Sequence, residues 1–413
     1  MKIRILLGVV LLMLLVSCGQ QTPTPTEIIL PSETLPEPTI TSTFTPSPVP
    51  PTETATVVPT ETSTPTITPS PTPSIIGPTD FPSNVNPLTG LKVDNLAMLE
   101  RRPIALKANL FPRNYYRPPW GLSLADLIFD YYHNAGYSRL HAIYLGTDSE
   151  LVGAVRSGRM FDYDLVYMYK SIFAYGSADP IVNRRLMGAE FGNRLVLERN
   201  TIPCPPTAKN PLCRFEPNKT DLLLGSTTAL SQYITDKGIE NGRQNLDGMA
   251  FSTLVPPNGT AANQVFVSYS QDDYVRWDYD PTTGRYLRFQ DNVFHAERAP
   301  EEFVPLLDRV NNQQISAANV VVVFVRHEYY RQPPGEIIDI LLSGSGKAIA
   351  FRDGQMYEVQ WNRPSITSVL FLSNPDGTPF PFKPGNTWFQ IVVNSSKSLQ
   401  PGEGVYRYQF SIP

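Results

Sequence analysis

Apolar side chains follow two different patterns in the part of the chain after residue 86. Between residues 86 and 245, short runs of strand-forming residues alternate with segments of helical spacing. The predicted strands lie at 102–109, 127–133, 138–145 and 171–175, and the predicted helices at 162–170, 179–186 and 220–238. This alternation predicts an α/β-type domain with a mixed sheet over residues 81–245.

Short, regularly spaced strands dominate after residue 246. They are predicted at 265–269, 274–279, 285–289, 320–326, 337–342, 346–351, 356–361 and 388–393, with one helical turn around 301–310. Turn sequences such as Pro-Thr-Thr-Gly at 281–284 separate them. Residues 246–413 are therefore predicted to form a mainly β domain, and the predicted fold class of the whole chain is α+β.

The runs at 127–133 and 138–145 predict a β-hairpin. If Ala135 and Gly136 form a two-residue loop, regular pairing places Asp130 opposite His141. A carboxylate beside an imidazole is suited to acid–base chemistry, and a structural hydrogen bond is the alternative. Asp126, which precedes the hairpin, is a further candidate for either role.

The N-terminus is typical of a secretion signal. Lys2 and Arg4 precede an apolar run over 5–16, and twelve residues at about 1.5 Å each are too short to span about 30 Å of hydrocarbon. The run ends in Leu-Val-Ser-Cys at 15–18, which looks like a bacterial lipobox. Residues 1–17 are therefore predicted to be removed and Cys18 to be lipidated, which places the protein outside the cytoplasm on a membrane. An ordinary cleaved signal with an incidental cysteine is the alternative.

Residues 18–80 are predicted to be a disordered linker. Residues 21–80 hold 15 prolines and 18 threonines, together with six acidic residues and neither Lys nor Arg. Proline cannot donate a backbone hydrogen bond, so this composition favours a solvated, extended spacer. The net charge of −4 then divides into +2 for residues 1–20, −6 for the spacer and zero for residues 81–413.

The charge and the three cysteines exclude several classes of protein. A neutral folded part lacks the basic footprint of a nucleic-acid binder. Three cysteines are too few for a disulfide-dense scaffold. Export favours a disulfide between Cys204 and Cys213, with free thiols as the alternative. The four histidines show no zinc spacing, so neither a metal site nor a cofactor is predicted.

A series of short motifs resembles the YerB-like bacterial lipoprotein family over most of residues 84–413. The motifs are Asn-Pro-Leu-Thr-Gly-Leu at 86–91, Arg-Arg-Pro-Ile-Ala at 101–105, Gly-Leu-Ser-Leu-Ala-Asp at 121–126, Gly-Ala-Val-Arg-Ser-Gly-Arg at 153–159, Ser-Gly-Ser-Gly-Lys at 343–347 and Pro-Gly-Asn-Thr-Trp at 384–388. The resemblance implies an envelope location and an N-terminal α/β-type domain followed by a β-rich domain. It implies no activity, because the family has no established biochemical function.

Arg156, Ser157 and Arg159 form the sharpest polar cluster, between an apolar stretch and a predicted helix. Two guanidinium groups at such a turn could bind a carboxylate or phosphate. The alternative is internal pairing of these arginines with nearby aspartates, among them Asp126 and Asp130.

The leading hypothesis is a lipid-anchored, non-enzymatic envelope protein that binds a partner protein or a cell-wall component. One alternative is a cell-wall-active enzyme that uses Asp130 and His141 with an arginine clamp. Another is a lipoprotein that binds a small ligand in a cleft. No nucleic-acid partner is expected.

Overall fold

The computed structural model describes residues 75–200, 202–216, 222–293 and 300–412. The strands of the N-terminal segment are β1 Ile104–Ala108, β2 Leu127–Asn134, β3 Tyr137–Tyr144, β4 Val152–Gly153, β5 Ile172–Ala174, β6 Leu195–Val196, β7 Leu212–Arg214 and β8 Leu223–Gly225. The helices are α1 Arg113–Tyr116, α2 Asp162–Tyr169, α3 Pro180–Met187 and α4 Thr227–Asp236, with short 3₁₀ turns at Leu96–Met98, Leu122–Leu124 and Gly192–Arg194.

The segment after residue 246 contributes strands only, within the described ranges. They are β9 Thr260–Ala261, β10 Gln264–Ser268, β11 Tyr274–Asp280, β12 Arg285–Asp291, β13 Phe303–Pro305, β14 Ser316–Ala317, β15 Asn319–Val325, β16 His327–Arg331, β17 Ile337–Ile340, β18 Gly344–Arg352, β19 Gln355–Arg363, β20 Phe371–Ser373, β21 Thr387–Val393, β22 Lys397–Gly402 and β23 Val405–Gln409. The fold class is α+β with a mainly β C-terminal part, as predicted.

One mixed sheet of eleven strands is the centre of the molecule. Its order is β20-β19-β18-β15-β21-β2-β3-β1-β5-β6, with β9 paired to β19. Strand β21 runs parallel to both β2 and β15, so it joins strands from the two ends of the chain. Strands from both sides of the predicted domain boundary at residues 245 and 246 therefore belong to one sheet. The boundary itself stays a prediction.

Three smaller sheets complete the fold. A seven-stranded sheet has the order β13-β12-β11-β10-β23-β22, with β14 paired to β12, and β16 pairs with β17. Strands β4, β8 and β7 form the third. Within the described ranges, no helix is both long enough and apolar enough to cross a membrane.

The apolar run of β15 explains its central position. All seven residues of β15 are buried, and Val320–Val323 are each 0% exposed. A strand that is covered on both faces carries continuous rather than alternating apolar residues. The rings of Phe129 and Phe389, which are paired residues on the neighbouring strands β2 and β21, stack side by side with centroids 4.6 Å apart.

Two predicted helical segments differ from the structure. The predicted helix at 220–238 begins only at Thr227, because Leu223–Gly225 pair as strand β8 with β7 and β4. The side chain of Ser226 accepts a hydrogen bond from the backbone N–H of Ala229 (3.2 Å) and so caps α4 at its first residue. The predicted turn of helix around 301–310 is wrong, since Phe303–Pro305 form β13 beside β12.

Candidate functional site

The hairpin turn is at the predicted residues, but its pairing differs by one residue. Asn134 pairs with Tyr137, and a β-bulge between Tyr132 and Asn134 leaves His133 as the extra residue. Asp130 is consequently paired with Leu140, and His141 with Phe129. Because neighbouring residues of a strand point to opposite faces, Asp130 and His141 lie on opposite sides of the sheet. The predicted Asp130–His141 pair is therefore wrong.

Asp130 takes part in a buried ion pair. Its Oδ2 accepts a hydrogen bond from Nη2 of Arg288 at 3.0 Å, and the two side chains are 0% and 1% exposed. The guanidinium of Arg288 also lies over the ring of Trp388, 4.1 Å from its centroid. Asp130 therefore connects β2 to β12, and its burial leaves no access for a substrate.

His141 belongs to a separate network centred on Asp162. Oδ1 of Asp162 lies 2.8 Å from Nδ1 of His141, accepts a hydrogen bond from the Tyr131 hydroxyl at 2.6 Å and lies 3.4 Å from Nζ of Lys107. All of these groups are fully buried apart from Tyr131, which is 1% exposed. This burial favours a structural role for the histidine over an acid–base one.

Burial sets the protonation of this network. It lowers the pKa of Lys107 to about 7, although the carboxylate of Asp162 acts in the opposite direction. Burial also lowers the pKa of His141 against the effect of the same carboxylate. For Asp162 burial acts to raise the pKa, but the charge of Lys107 and the hydrogen bonds from His141 and Tyr131 hold it below the usual range.

Asp126 forms hydrogen bonds with the backbone of a loop and not with the side chains of Arg156 or Arg159. Its Oδ2 accepts hydrogen bonds from the backbone N–H groups of Leu145 (2.6 Å) and Gly146 (2.8 Å). Burial raises the pKa of Asp126 to about 6 in spite of these two bonds. These contacts fix the connection that follows β3.

The predicted basic cluster lies on the loop between β4 and α2. The backbone N–H of Arg159 donates to Oδ2 of Asp162 at 2.6 Å, which fixes the loop against the first turn of α2. The guanidinium of Arg156 lies over the ring of Tyr116, 5.5 Å from its centroid. Ser157 has its hydroxyl 3.0 Å from that of Ser177.

The Arg159 side chain has mainly uncharged partners. Its Nη1 donates to the backbone oxygen of Gly158 at 3.0 Å, and its Nε lies 3.4 Å from Nδ1 of His133. Burial, followed by the charges of Arg139 and Arg159, lowers the pKa of His133 well below its ordinary value. The imidazole is therefore neutral at pH 7 and can accept this hydrogen bond.

A third arginine, Arg139, which the sequence analysis did not single out, adds to the positive charge of this cluster. Arg139 is 7% exposed, donates from Nη1 to the backbone oxygen of Ser157 at 2.8 Å and has a buried Nε without an acceptor. Burial and the charges of Arg159 and Arg156 lower the pKa of Arg139 well below its ordinary value. In the described part of the chain, no carboxylate oxygen lies within 4.0 Å of the guanidinium of Arg139 or Arg159.

A cavity of about 300 Å³ opens beside Arg159. Its polar lining includes Tyr132, His133, Arg159, Asp179, Arg331 and Glu336, and its apolar lining includes Val182, Ile337, Ile338 and Ile340. The bulged residue His133 thus faces the same cavity as Arg159. Strands β2 and β17, helix α3 and the loop before α2 all contribute to this site, which we call the Arg159 pocket.

A larger groove of about 1170 Å³ lies elsewhere on the surface. Its lining includes the exposed side chains of Leu254 and Val255, several prolines, and the acidic residues Glu358 and Asp376, but none of its lining residues is Lys, Arg or His. An anion would therefore find a cationic partner in the Arg159 pocket and none in the groove lining.

The predicted disulfide is confirmed. Cys204 and Cys213 are bonded, with their Cα atoms 4.9 Å apart, and the backbone N–H of Cys204 donates to the oxygen of Arg214 at 3.1 Å. The bond holds the segment before β7 against that strand. The predicted lipidation site, Cys18, lies outside the described residues.

Comparisons with known proteins agree with the sequence resemblance. A family model described as "Protein of unknown function (DUF3048) N-terminal domain" matches residues 88–200, and the corresponding C-terminal model matches residues 265–389. The two matches together cover more than half of the chain. The first contains Arg159 and the second contains Glu336, so both sides of the pocket fall within matched regions.

A curated relative and a solved structure both come from Bacillus subtilis. The relative from strain 168, named "Putative lipoprotein YerB", is 27% identical over 325 residues, which are 77% of this chain and 89% of the relative. The crystal structure of the YerB protein is similar with a TM-score of 0.60 at 25% identity, covering 75% of this chain and 96% of that one.

Proposed function

The chain belongs to the YerB-like family of DUF3048 proteins, and we propose that it is a membrane-anchored extracytoplasmic protein that binds a carboxylate-bearing envelope component in the Arg159 pocket. The lipobox at 15–18 and the lipoprotein name of the relative support the location. The family description assigns no activity, so the ligand class is argued from the pocket itself.

The excess of positive charge around Arg159 is the observation that carries this proposal. Among the residues that the structure describes, the guanidinium groups of Arg139 and Arg159 have uncharged hydrogen-bond partners. Lys107 lies 3.4 Å from the carboxylate of Asp162, which also contacts His141. Partly buried cations without counter-ions are energetically unfavourable, and a ligand carboxylate would relieve that cost. The planar guanidinium of Arg159, at the cavity wall, suits a carboxylate geometrically.

The two other hypotheses have less support. The enzyme hypothesis depended on Asp130 and His141 acting together, and these side chains lie on opposite faces of the sheet in different buried networks. A protein partner is favoured by one observation, the large groove with Leu254 and Val255 exposed by 52% and 49%. An exposed apolar surface of this kind is a feature of many protein interfaces.

The proposal is tested by isothermal titration calorimetry of the full-length protein in detergent with 4-methylpentanoate, a small carboxylate with an aliphatic body. Wild type should bind it saturably. Arg159→Gln should weaken binding by about tenfold or more, since one hydrogen-bonded charge contributes about 1.5–3 kcal/mol. Arg159→Lys should retain part of the affinity, because it keeps the charge but not the planar fork.

Arg326→Gln is the matched control, because Arg326 is 71% exposed, pairs with Glu328 and does not line the pocket. Its affinity should equal that of wild type. Equal affinity of wild type and Arg159→Gln for 4-methylpentanoate would contradict the proposal. It would also be contradicted if wild type bound none of the carboxylates tested.

A further inference from the structure

Glu336 brings a negative charge to the same pocket. Its side chain is half-buried and Oε1 accepts hydrogen bonds from the Tyr132 hydroxyl (3.0 Å) and from the backbone N–H of Ala135. Among the residues that the structure describes, no Lys, Arg or His nitrogen lies within 4.0 Å of this carboxylate. Two uncharged donors hold Glu336 in place and leave its charge uncompensated.

Asp179 and Arg331, the other charged pair of the lining, behave differently. Oδ2 of Asp179 accepts a hydrogen bond from Nη2 of Arg331 at 2.7 Å, and its Oδ1 caps α3 through the backbone N–H of Ile181 (2.9 Å). These two residues neutralise each other. Among the described residues that line the pocket, the charged groups without an oppositely charged partner within 4.0 Å are therefore one cation, Arg159, and one anion, Glu336.

We propose that the ligand of the Arg159 pocket is a zwitterion with an aliphatic body, that is, an aliphatic amino acid or a short peptide. The inference rests on the proposed function, because it assigns the ligand carboxylate to Arg159. It adds an ammonium group that donates to Glu336. The aliphatic body packs against Val182 and the isoleucines of β17.

The chemistry of the wall explains why both ends of such a ligand are recognised. An ammonium group has three donors, and the free lone pairs of the Glu336 carboxylate can accept from it. A ligand without the ammonium group leaves the half-buried carboxylate of Glu336 without a partner. The pocket should therefore bind such a ligand much more weakly than the corresponding zwitterion. The cavity volume of about 300 Å³ is at the lower end of the range for small-molecule sites, which favours a ligand of one or two residues.

Calorimetry with four probes tests the inference on the full-length protein. Leucine carries both charges, 4-methylpentanoate is the same skeleton without the ammonium, and 3-methylbutylamine is the skeleton without the carboxylate. Leucine should bind at least about tenfold more tightly than either analogue. The fourth probe, leucyl-leucine, distinguishes a peptide source from a free amino acid, according to which of the two zwitterions binds more tightly.

Glu336→Gln is the decisive variant, because the amide oxygen can still accept from Tyr132 and Ala135 and the fold should be kept. It should bind leucine at least about tenfold more weakly than wild type. It should not bind 4-methylpentanoate more weakly, because the substitution removes a negative charge from the pocket. Glu403→Gln, at an exposed turn away from the pocket, is the matched control and should behave as wild type.

The outcomes separate this inference from the proposed function. If leucine and 4-methylpentanoate bind equally well to wild type, or if Glu336→Gln keeps the preference for leucine, the zwitterion assignment is overturned and carboxylate binding stands. If none of the probes binds, both are overturned.

Discussion

Asp273 allows a direct test of the buried ionisable groups that lie between the two segments of the chain. Its side chain is 0% exposed, and its Oδ2 accepts a hydrogen bond from the backbone N–H of Ser138 at 2.6 Å. Burial, followed by the negative charges of Asp291 and Asp130, raises the pKa of Asp273 to about 7. The carboxyl group therefore stays protonated in the folded protein at a pH where it ionises in the unfolded chain.

The direction of the pH dependence follows from this shift. An unfolded aspartate has a pKa of about 3.9, so stability contributed by the neutral form is complete below about pH 4. It is lost progressively as the pH rises towards the folded pKa of about 7 and does not change further above it. At about 1.36 kcal/mol per pKa unit, the loss amounts to roughly 4 kcal/mol.

The substitution Asp273→Asn removes this titration. The amide oxygen can accept the hydrogen bond from Ser138, so the variant should resemble wild type at pH 4 and should be more stable by up to roughly 4 kcal/mol at pH 8. Urea unfolding of the full-length protein in detergent, followed by the fluorescence of buried Trp277 and Trp388, measures the free energy of unfolding at each pH.

At each pH the free energy of unfolding of the variant is compared with that of wild type. The difference between them is used because other carboxyl groups titrate in both proteins. Asp94→Asn, at an exposed residue, is the control and should show a difference that does not change with pH. A difference for Asp273→Asn that is independent of pH would refute the argument, and so would one that favours wild type more strongly at pH 8 than at pH 4.

Two further predictions concern the anchor and the buried ion pair. Cys18→Ala should abolish incorporation of labelled palmitate and leave the protein released or unprocessed, and unchanged labelling would contradict the lipobox assignment. Arg288→Met should lower the free energy of unfolding by about 3–5 kcal/mol, because it leaves the Asp130 carboxylate buried without a partner. Adding Asp130→Asn should recover part of that loss in the same urea assay, and full additivity of the two losses would show that the pair is not coupled.

The sequence was sufficient to predict those elements that are determined by interactions between residues close together in the chain. Ala135 and Gly136 marked the hairpin turn, and the valines of β15 marked a strand. The pairing register was not predictable in this way, because a single bulged residue, His133, displaces by one position every pair that lies beyond it from the turn. No residue of the turn indicates this bulge. The predicted pairing of Asp130 with His141 failed for this reason.

The candidate site was also only partly predictable from the sequence, because its two charged residues lie far apart along the chain. Arg159 was recognisable from its own motif, whereas Glu336 follows an undistinguished Pro-Pro-Gly turn far along the chain. Its importance appears only when β17 is placed beside the bulge of β2, where Tyr132 donates to it. No local pattern signals a charge that becomes uncompensated through folding.

The two charges of the pocket also explain why binding has to be measured on the whole chain. Arg159 comes from the segment before residue 245 and Glu336 from the segment after it. A fragment ending at residue 245 would lose Glu336, and β2 would lose its neighbour β21, which exposes a buried sheet edge. Since β21 lies between β2 and β15, the C-terminal fragment would be interrupted in the same way. The sheet that joins the two segments is therefore what makes a pocket with both charges possible.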